Sequence, residues 1–234
     1  MDKIAWSWSR IDMFEACRLL FQHNHILKTV KFVQNAAMIR GELIHKKLER
    51  NVVRIMNKQP PIEGKPGDTN VLHVTPIIQQ FVANHPGIYM EEEVTLTDRW
   101  KPTGWFSKDA WLRAKMDLIG IANPLAKRGQ IMSILDWKTG AVRDSPGQLR
   151  LYNLVALKKW PIVDSVSSVF CFVDHSKFGK QVTSTRDDLY ALEQEFGERQ
   201  EAIQVAYERN DWPPTKNYRC QWCTINDCQY VRSR

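Results

Sequence analysis

The sequence predicts a mixed α/β protein in which a central sheet is flanked by helices. Three observations carry that expectation. Strand-like segments cluster in the middle of the chain, helical periodicity bounds them on both sides, and the order reads α, β, β, β, α, β, α. Three consecutive strands suit a meander, and a helix before the next strand suits a crossover. At 234 residues, 43% of them hydrophobic and 25% charged, the chain can bury a full core.

Each element follows in turn. Ser9 with Asp12 reads as a capping box that opens a helix running through about Gln22. A second helix is expected over residues 35–57, with Leu43, Leu48, Val52 and Ile55 as its apolar stripe. QPPIEGKPGDTN, residues 59–70, is rich in Pro and Gly and reads as a loop, and a short helix over 76–84 follows. Strands are expected over 88–97, 110–122 and 130–137. Residues 147–160 read as a helix, 166–173 as a buried strand and 186–209 as a long amphipathic helix. After Pro213 and Pro214 a Cys-rich tail closes the chain. The whole is expected to be one domain, with a helical part over 1–87, a core over 88–209 and the tail over 210–234.

The charge balance narrows the partner. Thirty-three Lys and Arg against 26 Asp and Glu give +7, which favours a polyanion such as DNA, because surface cations displace counterions condensed on phosphates. No block of like charge occurs, so a basic surface has to be assembled by folding. No apolar run approaches the roughly 18 residues of a membrane span. MDKIAWSWSR has no apolar signal region, so a cytoplasmic location is expected. Five cysteines in such a chain argue for a metal or free thiols over disulfides.

The chemistry concentrates at two strand ends. Asp117 interrupts an apolar strand, Asp136 ends the next, and Lys138 lies two residues on. Residues i and i+2 of a strand share a face, so Asp136 and Lys138 address one point, and pairing of the two strands brings Asp117 alongside. Adjacent carboxylates repel unless a cation bridges them, and hard oxygen ligands select Mg²⁺ or Mn²⁺. With a lysine beside it, such a site suits phosphodiester hydrolysis: an activated water, a neutralised phosphorane and a stabilised leaving oxygen. A strand ending in D-x-K is common, and the motif gains force only from its company. Gln148 and Tyr152 share a face of the following helix, and they are placed to hold substrate or orient the lysine. His45 lies four residues after Gly41, whose missing side chain admits a strand or a metal. Of Glu91, Glu92 and Glu93, Glu93 is the acid expected to point toward the metal.

Together these residues resemble the RecB-type branch of the PD-(D/E)xK nuclease superfamily. The resemblance spans nearly the whole chain: SWSRIDMFEAC, the GxxxH helix, the acid of the second strand, the DWK end of the third, QxxxY and the Cys-rich end. It implies a restriction-endonuclease-like core and metal ligation by His45, Asp117, Asp136 and the backbone carbonyl of Trp137. It also implies a catalytic role for Lys138 and substrate-side support from Gln148 and Tyr152. Met116 stands where the family's proline often precedes the acid, and Ala114-Lys115 where a glycine is common.

Cys220, Cys223 and Cys228 form C-x2-C-x4-C, and Cys17 is the candidate fourth thiol. Four thiolates suit a [4Fe–4S] cluster or structural zinc, and either pins the tail onto the N-terminal helix. The resemblance to iron–sulfur members, such as the CRISPR adaptation nucleases and the AddB-type subunits of helicase–nucleases, favours the cluster. Cys171 sits in an apolar strand and reads as packing. His23-Asn24-His25 spells HNH without the rest of that motif and reads as coincidence. Among the nine tryptophans, Trp137 is the expected substrate contact.

The expected function is a metal-dependent DNase, an exonuclease acting on DNA ends to leave 5′-phosphates in recombination, repair or end processing. The alternatives are a non-catalytic DNA-binding or scaffold subunit of a helicase–nuclease-type complex, or an endonuclease or RNase on the same fold. A recombination, helicase or annealing protein would be the partner.

Overall fold

The structure is a computed structural model that describes residues 3–31, 33–62 and 69–230. Most of the loop expected over 59–70 lies outside the described residues. The helices are α1 (Trp8–Ala16), α2 (Arg18–Phe21), α3 (Ala36–Met56), α4 (Thr69–Asn84), α5 (Pro146–Lys159) and α6 (Leu189–Arg209). The strands are β1 (Gly87–Leu96), β2 (Pro102–Thr103), β3 (Leu112–Ile121), β4 (Gln130–Lys138), β5 (Val163–Phe172), β6 (Lys177–Phe178) and β7 (Val182–Thr185).

The described strands form one mixed sheet in the order β2-β1-β3-β4-β5-β6, with β7 also paired to β5. β1, β3 and β4 make the antiparallel meander, and β4 pairs with β5 in parallel. A parallel pair needs a crossover, and α5 supplies it. That helix is buried nearly all round, from Leu149 through Leu157, which explains why it lacks a sharp polar face.

Two apolar clusters cover the two faces of the sheet. Trp6, Phe14, Leu154 and Phe196, from α1, α5, α6 and the segment before them, pack with Met116 and Ile134 on one face. On the other, Ile44, Leu48 and Val52 of α3 and Val74 and Ile78 of α4 pack with Leu118, Leu135 and Trp137. The result is a three-layer α/β/α core of the restriction-endonuclease-like kind. No helix among the described residues is long and apolar enough to cross a membrane.

Several boundaries differ from the sequence reading, each for a local reason. The first helix stops at Ala16 because Cys17 is extended (φ −165°, ψ 111°), and a five-residue π-helical turn, Gln22–Ile26, ends the segment. The HNH string lies in that turn. Ser7, rather than Ser9, is the N-cap residue of α1, and Asp12 pairs with Arg219 of the tail instead of serving a capping box. α3 is capped by Asn35, whose side chain accepts from Met38 N–H at 2.9 Å. Its buried stripe uses Ile44 where Leu43 was expected, and Leu43 is exposed. α4 starts seven residues before Pro76, which sits inside the helix. The two-residue β2 and β6 and the four-residue β7 are too short to show alternation.

Candidate active site

β3 and β4 set the site. Their ladder pairs Leu118 with Leu135 and ends there, so the next residues, Asp117 and Asp136, meet beyond it. The Asp117 carboxylate takes the ladder's place: Oδ2 accepts the backbone N–H of Trp137 at 2.8 Å. A side chain thus closes the strand end and fixes the direction of the carboxylate.

The two acids address opposite layers. Asp136 faces α5, where Oδ1 accepts from the Tyr152 hydroxyl at 2.8 Å, and Gln148 Nε2 donates to that Tyr152 oxygen at 2.7 Å. Lys138 Nζ stands 2.5 Å from Asp136 Oδ2 as an ion pair and 4.8 Å over the Phe170 ring. Asp136 Oδ2 is buried, and the Lys138 ammonium is the cation that meets it. Burial pushes the Asp136 carboxyl up to about 6; the Lys138 charge works against this and the Asp117 charge adds to it. Burial, with the charges of Asp136 and Asp117, holds the Tyr152 hydroxyl well above its ordinary value, so it stays a donor.

Asp117 faces α3. His45 Nδ1 lies 3.5 Å from Asp117 Oδ1. Burial alone would lower the His45 pKa. The hydrogen bond to Asp117 and the charges of Asp117, Asp136 and Glu91 outweigh it, and the net direction is up. Gly41 explains how the helix comes so near the strand ends, because a Cβ there would meet Thr139 Oγ1 at 3.0 Å. Asp174 clamps the turn after Lys138. It accepts from Gly140 N–H at 2.7 Å and pairs with Arg40 of α3 at 2.6 Å.

Glu91 is the third acid here. One ligand atom each from His45, Glu91 and Asp117 lie within 4.8 Å of one another, and Asp136 is outside that group. An imidazole and two carboxylates suit a divalent ion such as Mn²⁺ or Mg²⁺. Glu91 gets there through the backbone. It has φ +51° inside β1, and the β1–β3 ladder skips it and Asp117 while pairing Met90 with Leu118 and Glu92 with Met116. Both strands switch face at this point: Met90 and Leu118 pack toward α3 and α4, and Val94 and Met116 toward α1 and α5. The broken alternation of MEEEV and MDLIG is the sequence signal that marks it. Glu93 pairs in register with Lys115 instead.

An open cleft of about 650 Å³ adjoins Lys138, Gln148 and Tyr152, and Arg113, Lys115 and Arg143 also line it. The basic surface is thus assembled by folding. Trp137, expected to contact substrate, is 2% exposed and packs in the apolar cluster beneath α3 and α4, because alternation turns it away from Asp136 and Lys138.

The tail docks on the N-terminal helices. Asn217 Nδ2 donates to the Ala16 carbonyl at 2.9 Å, and Arg219 pairs with Asp12. Burial raises the Cys223 thiol, and the charges of Cys228, Cys17 and Cys220 each raise it further, so all four thiols lie within electrostatic reach. Tyr218 carries the tail to the cleft, where the Arg143 guanidinium sits 4.4 Å over its ring. Cys171 is fully buried, and burial pushes its thiol up to about 12.

Among solved structures, the chain is similar to a candidate exonuclease from Eubacterium rectale, with a TM-score of 0.52 and 13% identity over 98% of this chain and 88% of that one. That likeness is one of fold. It also matches the structure of SSO0001 at a TM-score of 0.36 and 14% identity, over 90% of this chain and 94% of that one. No curated protein matches it. The family model of the PD-(D/E)XK nuclease superfamily matches residues 5–228, nearly the whole chain and every side chain described at the two strand ends. The protein therefore belongs to the PD-(D/E)XK nuclease superfamily.

Proposed function

We propose that this protein is a divalent-metal-dependent deoxyribonuclease that works from DNA ends and leaves 5′-phosphates. The observation that supports it best is the convergence of Asp117, Asp136, Lys138 and His45 at one strand-end corner, beside a cleft lined by further cations. His45, Glu91 and Asp117 would hold the ion, with the Asp136 carboxylate, now paired with Lys138, and the Trp137 carbonyl as further ligands from the resemblance. When bound, the ion supplies Lewis acidity toward a phosphate oxygen and a more acidic water.

The chain's own residues do the rest. Lys138 sets a positive charge where negative charge gathers on the scissile phosphate. Tyr152 fixes the Asp136 carboxylate, and Gln148 fixes Tyr152 at the edge of the cleft. Arg113 and Arg143 hold the DNA backbone by its phosphates. Cleavage of the bond from phosphorus to the 3′ oxygen yields the 5′-phosphate. The exonuclease reading agrees with the name of the Eubacterium rectale relative and with the RecB-type motifs. A role in recombination, repair or end processing follows from end-directed cleavage. The resemblance to iron–sulfur nucleases favours a [4Fe–4S] cluster over zinc on Cys17, Cys220, Cys223 and Cys228, and that group would join the tail to α1.

Linear duplex, closed circular duplex, single-stranded DNA and RNA incubated side by side with Mg²⁺ or Mn²⁺ test the reading. Degradation of linear DNA alone is expected, abolished by Lys138→Ala and by Asp136→Ala with far-UV circular dichroism unchanged. Cleavage by both variants at the wild-type rate would refute the site. Absorption near 400 nm in anaerobically purified protein, about where thiolate-ligated iron absorbs, separates cluster from zinc.

A further inference from the structure

Lys115 stands between the two halves of the site. On β3 it is two residues before Asp117, and it lines both the cleft beside Lys138 and the recess around His45, Glu91 and Asp117. Its ammonium pairs with Glu91 Oε2 at 2.6 Å, and its side chain is 48% exposed. The same Glu91 carboxylate is the one that reaches the His45–Asp117 group. A carboxylate bound by an ammonium is a poorer ligand for a divalent ion, because the two cations compete for the same lone pairs.

We propose that Lys115 is a displaceable counter-cation: a divalent ion takes Glu91 from it, and the freed ammonium turns into the cleft to meet a DNA phosphate. Three features support the exchange. Glu91 is held at φ +51°, which keeps its side chain on the His45 side whichever cation it serves. Lys115 is half exposed on a flexible stem, so it can swing without repacking the core. Its other pocket already carries Arg113, Arg143 and Lys138, the surface a phosphate would approach. The consequence is coupling, since the ion and DNA each favour the conformer that the other needs. The idea rests on the metal-dependent reading above and goes beyond it, by making Lys115 a positioning residue for the ion and a contact for the substrate.

The test measures binding rather than turnover. Mn²⁺ is titrated calorimetrically into wild type, Lys115→Met, Lys115→Gln, Glu91→Gln and the Glu91→Gln/Lys115→Met double variant. Each titration is run with and without a duplex whose linkages are non-cleavable phosphorothioates. Without DNA, both Lys115 variants should bind Mn²⁺ roughly threefold more tightly, the scale of a released surface ion pair. Glu91→Gln should bind it about tenfold more weakly, and in that background Lys115→Met should change nothing. DNA should tighten Mn²⁺ binding to wild type and lose that effect in both Lys115 variants. Unchanged or weaker Mn²⁺ binding by folded Lys115 variants overturns the exchange. Wild type that binds no Mn²⁺ at all instead overturns the metal-dependent reading on which the exchange rests.

Discussion

The two carboxylates that end the β3–β4 pair live in different surroundings. Asp136, 2% exposed, is locked on the α5 side by Tyr152 and paired with Lys138. Asp117 sits on the α3 side with His45 and Glu91, whose side chains keep 31% and 28% of their exposure. One corner is dry and fixed; the other is wetter and contains a lysine pair that can exchange. A charge at the dry corner is costly and only partly offset by Lys138, while a further cation can enter the wet corner at little cost. On the proposed reading, the α5 side would position the carboxylate and the α3 side would admit the ion.

The sharpest way to break this contrast is Asp136→Asn. Activity should fall by about a thousandfold or more, as expected when a transition-state electrostatic group is lost. Stability without divalent ions should move the other way. An unfolded Asp titrates near 3.8 and this one at about 6 in the fold. The folded state therefore binds more protons between those values, and stability falls as pH rises from about 4 through about 6. Above that window Asp136→Asn should be more stable than wild type by on the order of 2 kcal/mol, about 4 to 8 °C in Tm for a chain of this length. Below pH 4 the difference should vanish. Urea unfolding in EDTA at three pH values reads it, and a variant less stable than wild type at pH 7.5 would mean the dry corner carries no ionisation cost. Asp117→Asn should lack this gain, because its carboxylate closes the backbone of Trp137.

Tyr152→Phe comes next in size. It leaves Asp136 Oδ1 buried without its donor and Gln148 without its acceptor. The expected loss is about 1–3 kcal/mol of stability and roughly ten- to a hundredfold of kcat, with KM little changed. A fall confined to KM would place Tyr152 on the substrate instead of on Asp136.

How far this contrast could be read from sequence depends on how each residue reaches the site. Asp136, Lys138, Gln148 and Tyr152 are local: strand alternation and helical spacing place them on one face, and the structure brings those four together. The same alternation turns Trp137 inward, against the expectation of a substrate contact. Glu91 depends on a left-handed residue inside a strand and on a matched irregularity in β3, and no propensity marks which of three consecutive glutamates will twist. Lys115 depends on a cross-strand partner, which a linear reading does not pair. The main sheet and its flanking helices follow from periodicity, and β2, β6 and β7 escape it by their shortness. The break at Cys17 has no Gly or Pro to announce it. It coincides with the docking of the tail, where Asn217 caps the carbonyl of Ala16.

The smallest expected effect lies at Gln148, where the dry corner meets the cleft. Its amide donates to the Tyr152 oxygen, is only half-buried and lines the cleft. Water can replace a donor that is open to solvent, so Gln148→Ala should cost stability less than about 1 kcal/mol. The kinetic effect should also be modest, about three- to fivefold, and it should divide between kcat and KM, because one side of the amide orients Tyr152 and the other faces substrate. Gln148→Glu sharpens the distinction. A carboxylate cannot donate to Tyr152 at neutral pH, and the Tyr152 proton is already given to Asp136; it also sets a negative charge where Arg143 and Lys138 line the cleft. KM for DNA should therefore rise more than for Gln148→Ala, and the excess should shrink as salt is added, on the scale of the roughly 8 Å Debye length at 0.15 M. Equal KM values for the two variants at low salt would place Gln148 wholly within the tyrosine network and move the edge of the substrate path outward, toward Arg143 and Tyr218.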